Sequence, residues 1–306
     1  PQAGAISLSE MVVLAFEKNP DLKSARLKWE AAIERYPQER ALPDPMVMYQ
    51  RSRDPSETML TLSQALPFPG KLKLKGDIAS RDAQIARLEF EKATRDIIVA
   101  LKVSYYELLY INRAIEITKQ NKAVMDHLVK IGTTDYAQDV TTLNDVMKAQ
   151  AQLAQVSYDL VLLEELRRTE VTRLNTLVNR DPDTPIAQLQ DEPVPPLSFS
   201  VEELYSLARE HQQELKIADL EIEKSLKASQ LAEKVSLPDF KVGLNYMDMP
   251  EAGMSTLPIE ERDAFGFSVE LSLPIWFNKN RAAKTEARLN YLSTRELRDA
   301  HLNETY

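Results

Sequence analysis

Chemistry in a protein needs side chains that can bind a metal, carry a proton or attack an electrophile, and in these 306 residues such groups are scattered. The histidines His127, His211 and His301 lie far apart, and none has a second His, Asp or Glu at a convincing ligand spacing, so no metal site is expected of them. With no cysteine there is neither a thiolate ligand nor a disulfide. No nucleophile–base motif, phosphate-cradling glycine loop or catalytic carboxylate pair can be read, so neither an enzyme nor a cofactor is expected. Six of the nine methionines, Met46, Met48, Met59, Met247, Met249 and Met254, gather in or beside predicted strands. They read either as thioether contacts for a soft cation such as copper or silver, or as apolar filler. Tyr136 and the acids Asp135, Asp139 and Asp145 cluster at a predicted turn, where Asp145 also reads as the N-cap of the following helix.

Composition narrows the classes. A formal charge of -9 and a pI near 5.1 disfavour nucleic acid or an anionic membrane surface as partner, since both need a basic patch. An acidic surface suits cations, or simply solubility. Only 7 glycines beside 17 prolines argue against an α/β enzyme rich in tight turns. Lack of cysteine fits an oxidising compartment such as the periplasm, though many cytosolic chains share it. No run approaches the ~18 apolar residues of a transmembrane helix. Pro1-Gln2-Ala3-Gly4 lacks a signal pattern, so an exported protein would be read here in its processed form.

The elements that must position these residues are dominated by two very long helices. Between Val140 and Val178 there is no proline or glycine, and apolar residues follow a heptad through Val146, Ala149, Leu153, Val156, Leu160, Leu163, Leu174 and Leu177. Arg167 and Glu170 are the charged intruders; they pair with each other, set register with a neighbouring helix, or leave a solvated break. The preceding stretch carries a matching stripe at Ile97, Leu101, Leu108, Ile111 and Ile115, with Ile98, Tyr105 and Leu109 on a second face that predicts a second neighbour. The spacing predicts a helical hairpin over about 70–179 with its tip near Gly132–Asp139. Roughly 60 residues of helix make a rod of about 90 Å.

Around that hairpin a pattern occurs twice. Ser7-Leu8-Ser9-Glu10 fits a capping box, and the short helix it opens ends near Asn19-Pro20. A helix over about 21–40 stops at Leu42-Pro43-Asp44-Pro45. Met46–Gln50 and Thr58–Ala65 read as a hairpin turning at Arg53-Asp54-Pro55-Ser56, with Leu60 and Leu62 opposite Thr61 and Ser63. Leu66-Pro67-Phe68-Pro69-Gly70 ends it. After a proline-rich stretch, Ser200-Val201-Glu202-Glu203 repeats the capping box, Glu214-Leu215-Lys216 stands for Asp21-Leu22-Lys23, and Leu237-Pro238-Asp239 for Leu42-Pro43-Asp44. A strand at Phe240–Tyr246 and a loop through Pro250 and Pro258 lead to a strand where Phe265, Phe267, Val269, Leu271 and Leu273 alternate with Gly266, Ser268, Glu270 and Ser272. Leu273-Pro274-Ile275-Trp276-Phe277 repeats the exit, and a helix from about Asn278 continues to the last residue. The division is therefore a first repeat over 1–180 (hairpin about 45–66, helical hairpin about 70–179), a linker over 181–199, and an incomplete second repeat over 200–306 (hairpin about 240–273). By analogy most of a second long hairpin is expected to be missing after Tyr306.

This order resembles the TolC family of outer-membrane efflux channels over nearly the whole chain. Leu66-Pro67-Phe68-Pro69-Gly70-Lys71-Leu72 looks like the strand-to-helix exit of the CzcC-like, metal-efflux branch, and Leu273-Pro274-Ile275-Trp276-Phe277-Asn278-Lys279-Asn280 like its second-repeat counterpart. Tyr136 followed by Asp145-Val146-Met147-Lys148-Ala149-Gln150 has the spacing of the family's tip motif; Asp139 stands where the family usually carries glycine.

The resemblance implies a mainly α fold of very long antiparallel helical hairpins, whose short β-hairpins give four strands per protomer to a trimeric twelve-stranded barrel. That barrel would sit in the outer membrane of a Gram-negative bacterium, with the helices continuing across the periplasm. Closure leaves no strand edge unpaired in lipid. It implies that Phe265, Phe267, Val269, Leu271 and Leu273 face lipid and that Ser268, Glu270 and Ser272 face the bore. The helical tips would meet a periplasmic adaptor (membrane fusion) protein and an inner-membrane efflux pump. Substrate, metal cations before drugs, would pass without chemistry. Asp135, Asp139 and Asp145 become candidates for an acidic ring at a trimer's mouth. Trp276 and Phe277 read as a membrane-interface belt or as junction packing, two compatible readings. The chain alone is expected to be unable to close the tube. The rival is a soluble periplasmic coiled-coil scaffold, or an adaptor-type protein without a pore. Adaptors place one helical hairpin between halves of a glycine-rich lipoyl-like domain, and a scaffold has no use for a strand such as Phe265–Leu273.

Overall fold

The structure is a computed structural model that describes residues 6–52, 58–186, 188–191, 196, 198–248 and 263–304. The expected turn at 53–56, the prolines of 192–195 and the loop carrying Met249, Pro250, Met254 and Pro258 lie outside the described residues. In chain order the elements are α1 (Leu8–Lys18), α2 (Pro20–Arg40), β1 (Met46–Arg51), β2 (Thr58–Leu66), α3 (Lys71–Ala137), α4 (Leu143–Leu177), α5 (Val201–His211), α6 (Gln213–Val235), β3 (Phe240–Asp248), β4 (Ala264–Leu271) and α7 (Phe277–Glu304). The chain is mainly helical. Its contacts define two compact units, one of residues 1–25 with 91–198 and one of 26–90 with 199–306. They cut across the order of the sequence, because α2 and α3 each contribute to both.

In the first unit the heptad seam of α4 packs on α3. Val146 is buried, and Ala149, Leu153, Val156, Leu160 and Leu163 are half-buried among exposed neighbours. Three pairs fix an antiparallel register: Gly132 against Val146, Lys119 with Glu164 at 3.5 Å, and Arg167 Nε donating to Asn112 Oδ1 at 2.9 Å. Arg167 thus sets register with the neighbouring helix, while Glu170 lies 3.8 Å from Arg173 on its own helix. Tyr105, expected on a second face of α3, lies instead in one core with Leu101 and Leu108, joined by Leu8, Met11, Ala15, Leu174, Val178 and Leu189. Spacing of four and three puts all three α3 residues on one stripe. The phenol explains why a tyrosine suits that core. Its Oη donates towards the carbonyls of Ile6 (3.1 Å) and Gln190 (2.7 Å), and Ile6 pairs in parallel with Leu189. Part of the proline-rich connection is thereby docked on the unit. Asn19 is fully used as well: its Oδ1 caps α2 by accepting from the amides of Asp21 and Leu22, and its Nδ2 donates to Leu177 O at the end of α4. The large apolar residues α3 leaves exposed include Val99, Val103, Tyr110, Ile117, Val124 and Ile131, a different stripe from the expected one and again near heptad spacing, with Leu128 and Tyr136 exposed beside it.

In the second unit α6 runs antiparallel to both the first turns of α3 and α7. Arg81 meets Glu223 at 2.8 Å, Lys224 meets Asp82 at 3.1 Å and Lys227 meets Asp77 at 3.7 Å; on the other side Arg298 meets Asp219 at 3.2 Å and Ser225 bonds Thr294 at 2.9 Å. Both capping boxes form, at Ser7/Glu10 in the first unit and Ser200/Glu203 here. The two hairpins are not separate. β2 pairs with β3 antiparallel from Thr58↔Asp248 to Leu66↔Phe240, giving one four-stranded sheet of order β1-β2-β3-β4.

Candidate functional site

The cross-strand register sorts the sheet into two faces. Val47, Leu62, Leu244 and Phe267 form one row, Tyr49, Leu60, Tyr246 and Phe265 the next, and Val242 with Val269 and Phe240 with Leu271 continue them. The face is almost wholly apolar and open: Phe265 is 84% and Leu244 61% exposed. The opposite face carries Thr61, Asn245 and Gly266 in one row, Ser63, Gly243 and Ser268 in another, and Lys241 bonded to Glu270 at 3.1 Å. Here Thr61 and Ser63 are only 9% and 7% exposed. A Cβ on Gly243 would stand 2.6 Å from Ser268 Oγ, so a larger residue there needs that hydroxyl to turn aside. A sheet folded for water shows the reverse pattern, apolar residues in and polar residues out.

Of the residues singled out from the sequence, Phe265, Phe267, Val269 and Leu271 lie on the apolar face and Ser268 and Glu270 on the polar one. Ser272 and Leu273 were expected in the strand, but β4 stops at Leu271. Ser272 Oγ accepts the Asp239 amide at 2.7 Å, and its own amide donates to Asp239 O at 2.9 Å, so Ser272 ties the start of β3 instead of continuing an alternation. That tie belongs to a junction the sequence did not reveal. Lys71 Nζ donates to Asp239 Oδ1 (2.8 Å) and Leu237 O (3.0 Å), and Asp239 Oδ1 also accepts the Phe68 amide (2.6 Å). Burial pushes the Asp239 carboxyl up, yet the hydrogen bonds from Lys71 and Phe68 outweigh it and hold it below its ordinary value. Gly70, at φ 91, makes the turn that brings Lys71 there. Beyond the sheet Trp276 is 70% exposed with Phe277 beside it, so packing among the described residues does not account for them.

The helical tip falls at the far end of the expected Gly132–Asp139 stretch and just beyond it. α3 continues past Gly132 to Ala137, and the turn occupies 138–142. Gln138 and Val140 donate to Asp135 O and Asp139 to Tyr136 O, with Asp139 in the left-handed region at φ 58. Thr142, not Asp145, is the N-cap of α4. Asp145 sits in the first turn, accepting the Thr142 hydroxyl at 2.6 Å, and that bond holds its carboxyl low, with Lys148 assisting. Tyr136 is partly exposed. Among the described residues no three His, Asp or Glu side chains are grouped to hold a metal, and Asp135, Asp139 and Asp145 make no such group. No described helix is long and apolar enough to cross a membrane.

The family model described as Outer membrane efflux protein matches residues 11–180. No curated protein sequence matches. Similar folds occur in the outer membrane protein VceC of Vibrio cholerae (TM-score 0.77, 18% identity, covering 97% of this chain and 75% of that one) and the CmeC outer membrane channel of Campylobacter jejuni (0.78, 13%, 97% and 68%). CusC, described in terms of folding and transmembrane channel formation, aligns at TM-score 0.75 with 14% identity over 97% of this chain and 72% of its own.

Proposed function

The chain belongs to the outer membrane efflux protein family, and from that premise we propose that it is one of three subunits of a channel that conducts substrate passively out of a Gram-negative cell. Each subunit gives its four strands to a twelve-stranded barrel, β1 of one pairing with β4 of the next. Phe265, Phe267, Val269 and Leu271 face lipid; Ser268 and Glu270 face the bore. Trp276 and Phe277 lie at the membrane interface, where amphipathic rings are favoured. The stripe Val99–Val124 packs on a neighbouring subunit's helices. The tip around Asp135, Tyr136, Asp139 and Asp145 meets a periplasmic adaptor, which links the channel to an inner-membrane pump. The exits at Leu66–Leu72 and Leu273–Asn280 favour the metal-efflux, CzcC-like branch, hence metal cations before drugs. The domain scheme of two repeats joined at 181–199 belongs to the same reading. The observation that supports it is the inverted sheet, with an exposed apolar face and a polar face that buries Thr61 and Ser63 at its centre.

Because the chain has no cysteine, single introduced thiols test this cleanly. Phe267→Cys and Ser268→Cys are treated in outer-membrane preparations with a membrane-impermeant maleimide. Ser268→Cys is expected to label through the bore and Phe267→Cys to be shielded by lipid. Rapid labelling of Phe267→Cys, as its exposure in a soluble scaffold would require, refutes the barrel.

A further inference from the structure

Four side chains on the polar face are out of keeping with their neighbours. Met46 is paired with Ser63, Met48 with Thr61, and Met59 with Met247, so every described methionine of the sheet lies on this face. The apolar face, where filler would be expected, carries Val, Leu, Phe and Tyr, with Gln64 and the end row Arg51, Thr58 and Asp248, and no methionine. Gap-filling in a dry core does not explain Met46 and Met48, which are 67% and 49% exposed; Met59 and Met247 beside them are half-buried. Met59 and Met247 stand directly opposite, with Cβ atoms about 4.5–5.5 Å apart in such pairs. Met48 is opposite Thr61, two residues along from Met59, which is the diagonal position of about 7–8 Å that long side chains can bridge. Met46 follows on the same face of β1, one pleat away. The result is a thioether track across three strands.

We propose that Met48, Met59 and Met247 bind a soft monovalent cation, Cu(I) or Ag(I), with Met46 as the adjoining step. Thioether sulfur selects such ions, whereas borderline divalent cations need the imidazole and carboxylate groups that form no triad among the described residues. Neutral ligands in several steps bind weakly enough to release, as conduction requires. The inference deepens the channel reading by naming the cargo, and rests on the polar face lining the bore.

The test is silver-ion binding by the detergent-solubilised protein in chloride-free buffer, beside Met48→Leu/Met59→Leu/Met247→Leu, a replacement of similar volume. At least a tenfold loss of affinity is expected in the triple variant, with zinc bound by neither. Equal silver affinity in both proteins, or zinc bound as well as silver, overturns the proposal. A second measurement needs no variant: silver is expected to slow peroxide oxidation of Met48, Met59 and Met247 at least tenfold, read by mass spectrometry, and to leave the exposed Met147 on α4 unaffected. Equal protection at Met147, or none at the three, overturns it too. Failure of the pore reading would appear in the cysteine labelling and leave these binding curves unchanged.

Discussion

Leu244→Arg places a charge at the centre of β3, on the apolar face between Leu62 and Phe267. In a water-soluble sheet it should hardly matter: Leu244 is 61% exposed, and substitutions at such sites stay within about 0.5 kcal/mol. In a bilayer the same arginine costs about 2–4 kcal/mol near the midplane, and three copies in a trimer bring the total to about 6–12 kcal/mol. The two environments therefore differ by several powers of ten in an equilibrium constant. Thermal unfolding in the absence of lipid is followed by circular dichroism, and insertion by flotation with phospholipid vesicles after a carbonate wash. The variant is expected to melt like the wild type yet to float poorly, while Asn245→Arg, one residue along on the polar face, floats normally. A Leu244→Arg protein that resists carbonate extraction as well as the wild type would refute the assignment of the faces.

Asp139→Gly relieves a left-handed aspartate at the tip and should stabilise the first unit by about 0.5–1 kcal/mol in urea unfolding. Asp239→Asn removes the charge partner of the mostly buried Lys71 and should destabilise by about 2 kcal/mol. Since the Asp239 carboxyl is held low in the fold, its contribution is present above its unfolded value near 3.8 and is lost as pH falls through the lower folded one; the gap between wild type and variant should be constant at neutral pH and close below about pH 4. Tyr105→Phe leaves the carbonyls of Ile6 and Gln190 without its hydroxyl and should cost about 1–3 kcal/mol, with faster hydrogen exchange at the Ile6 and Gln190 amides as its local signature.

What was legible in the sequence was local. Both capping boxes, the α4 seam and the alternation of β4 depend on residues within one or two turns of each other, and all three are present in the fold. The tip was bracketed at Gly132–Asp139, and the chain does turn at a left-handed Asp139; its near end was set too early because a glycine inside a long helix is tolerated and α3 runs through Gly132. Tyr105 was assigned to the wrong face although its spacing of four and three from Leu101 and Leu108 puts it on theirs; what the sequence could not give are its hydroxyl partners, Ile6 and Gln190, 99 and 85 residues away. The pairing of β2 with β3 and the Lys71–Asp239 junction span even longer separations, which periodicity cannot see. In β1 methionines alternate with Val47 and Tyr49, apolar on both sides, so its two faces became distinguishable only through the register with β2.

The sheet order has a kinetic corollary. β1 and β4 are its margins, each with half of its amides and carbonyls turned outward. A single copy driven into hydrocarbon would carry two such rows, and every unsatisfied group there costs several kcal/mol. If three copies close the barrel as proposed, insertion and association are one event. Such a channel should then form above a threshold protein concentration and with a steep, third-order dependence, and below that threshold the sheet's apolar face would need an escort on its way to the membrane.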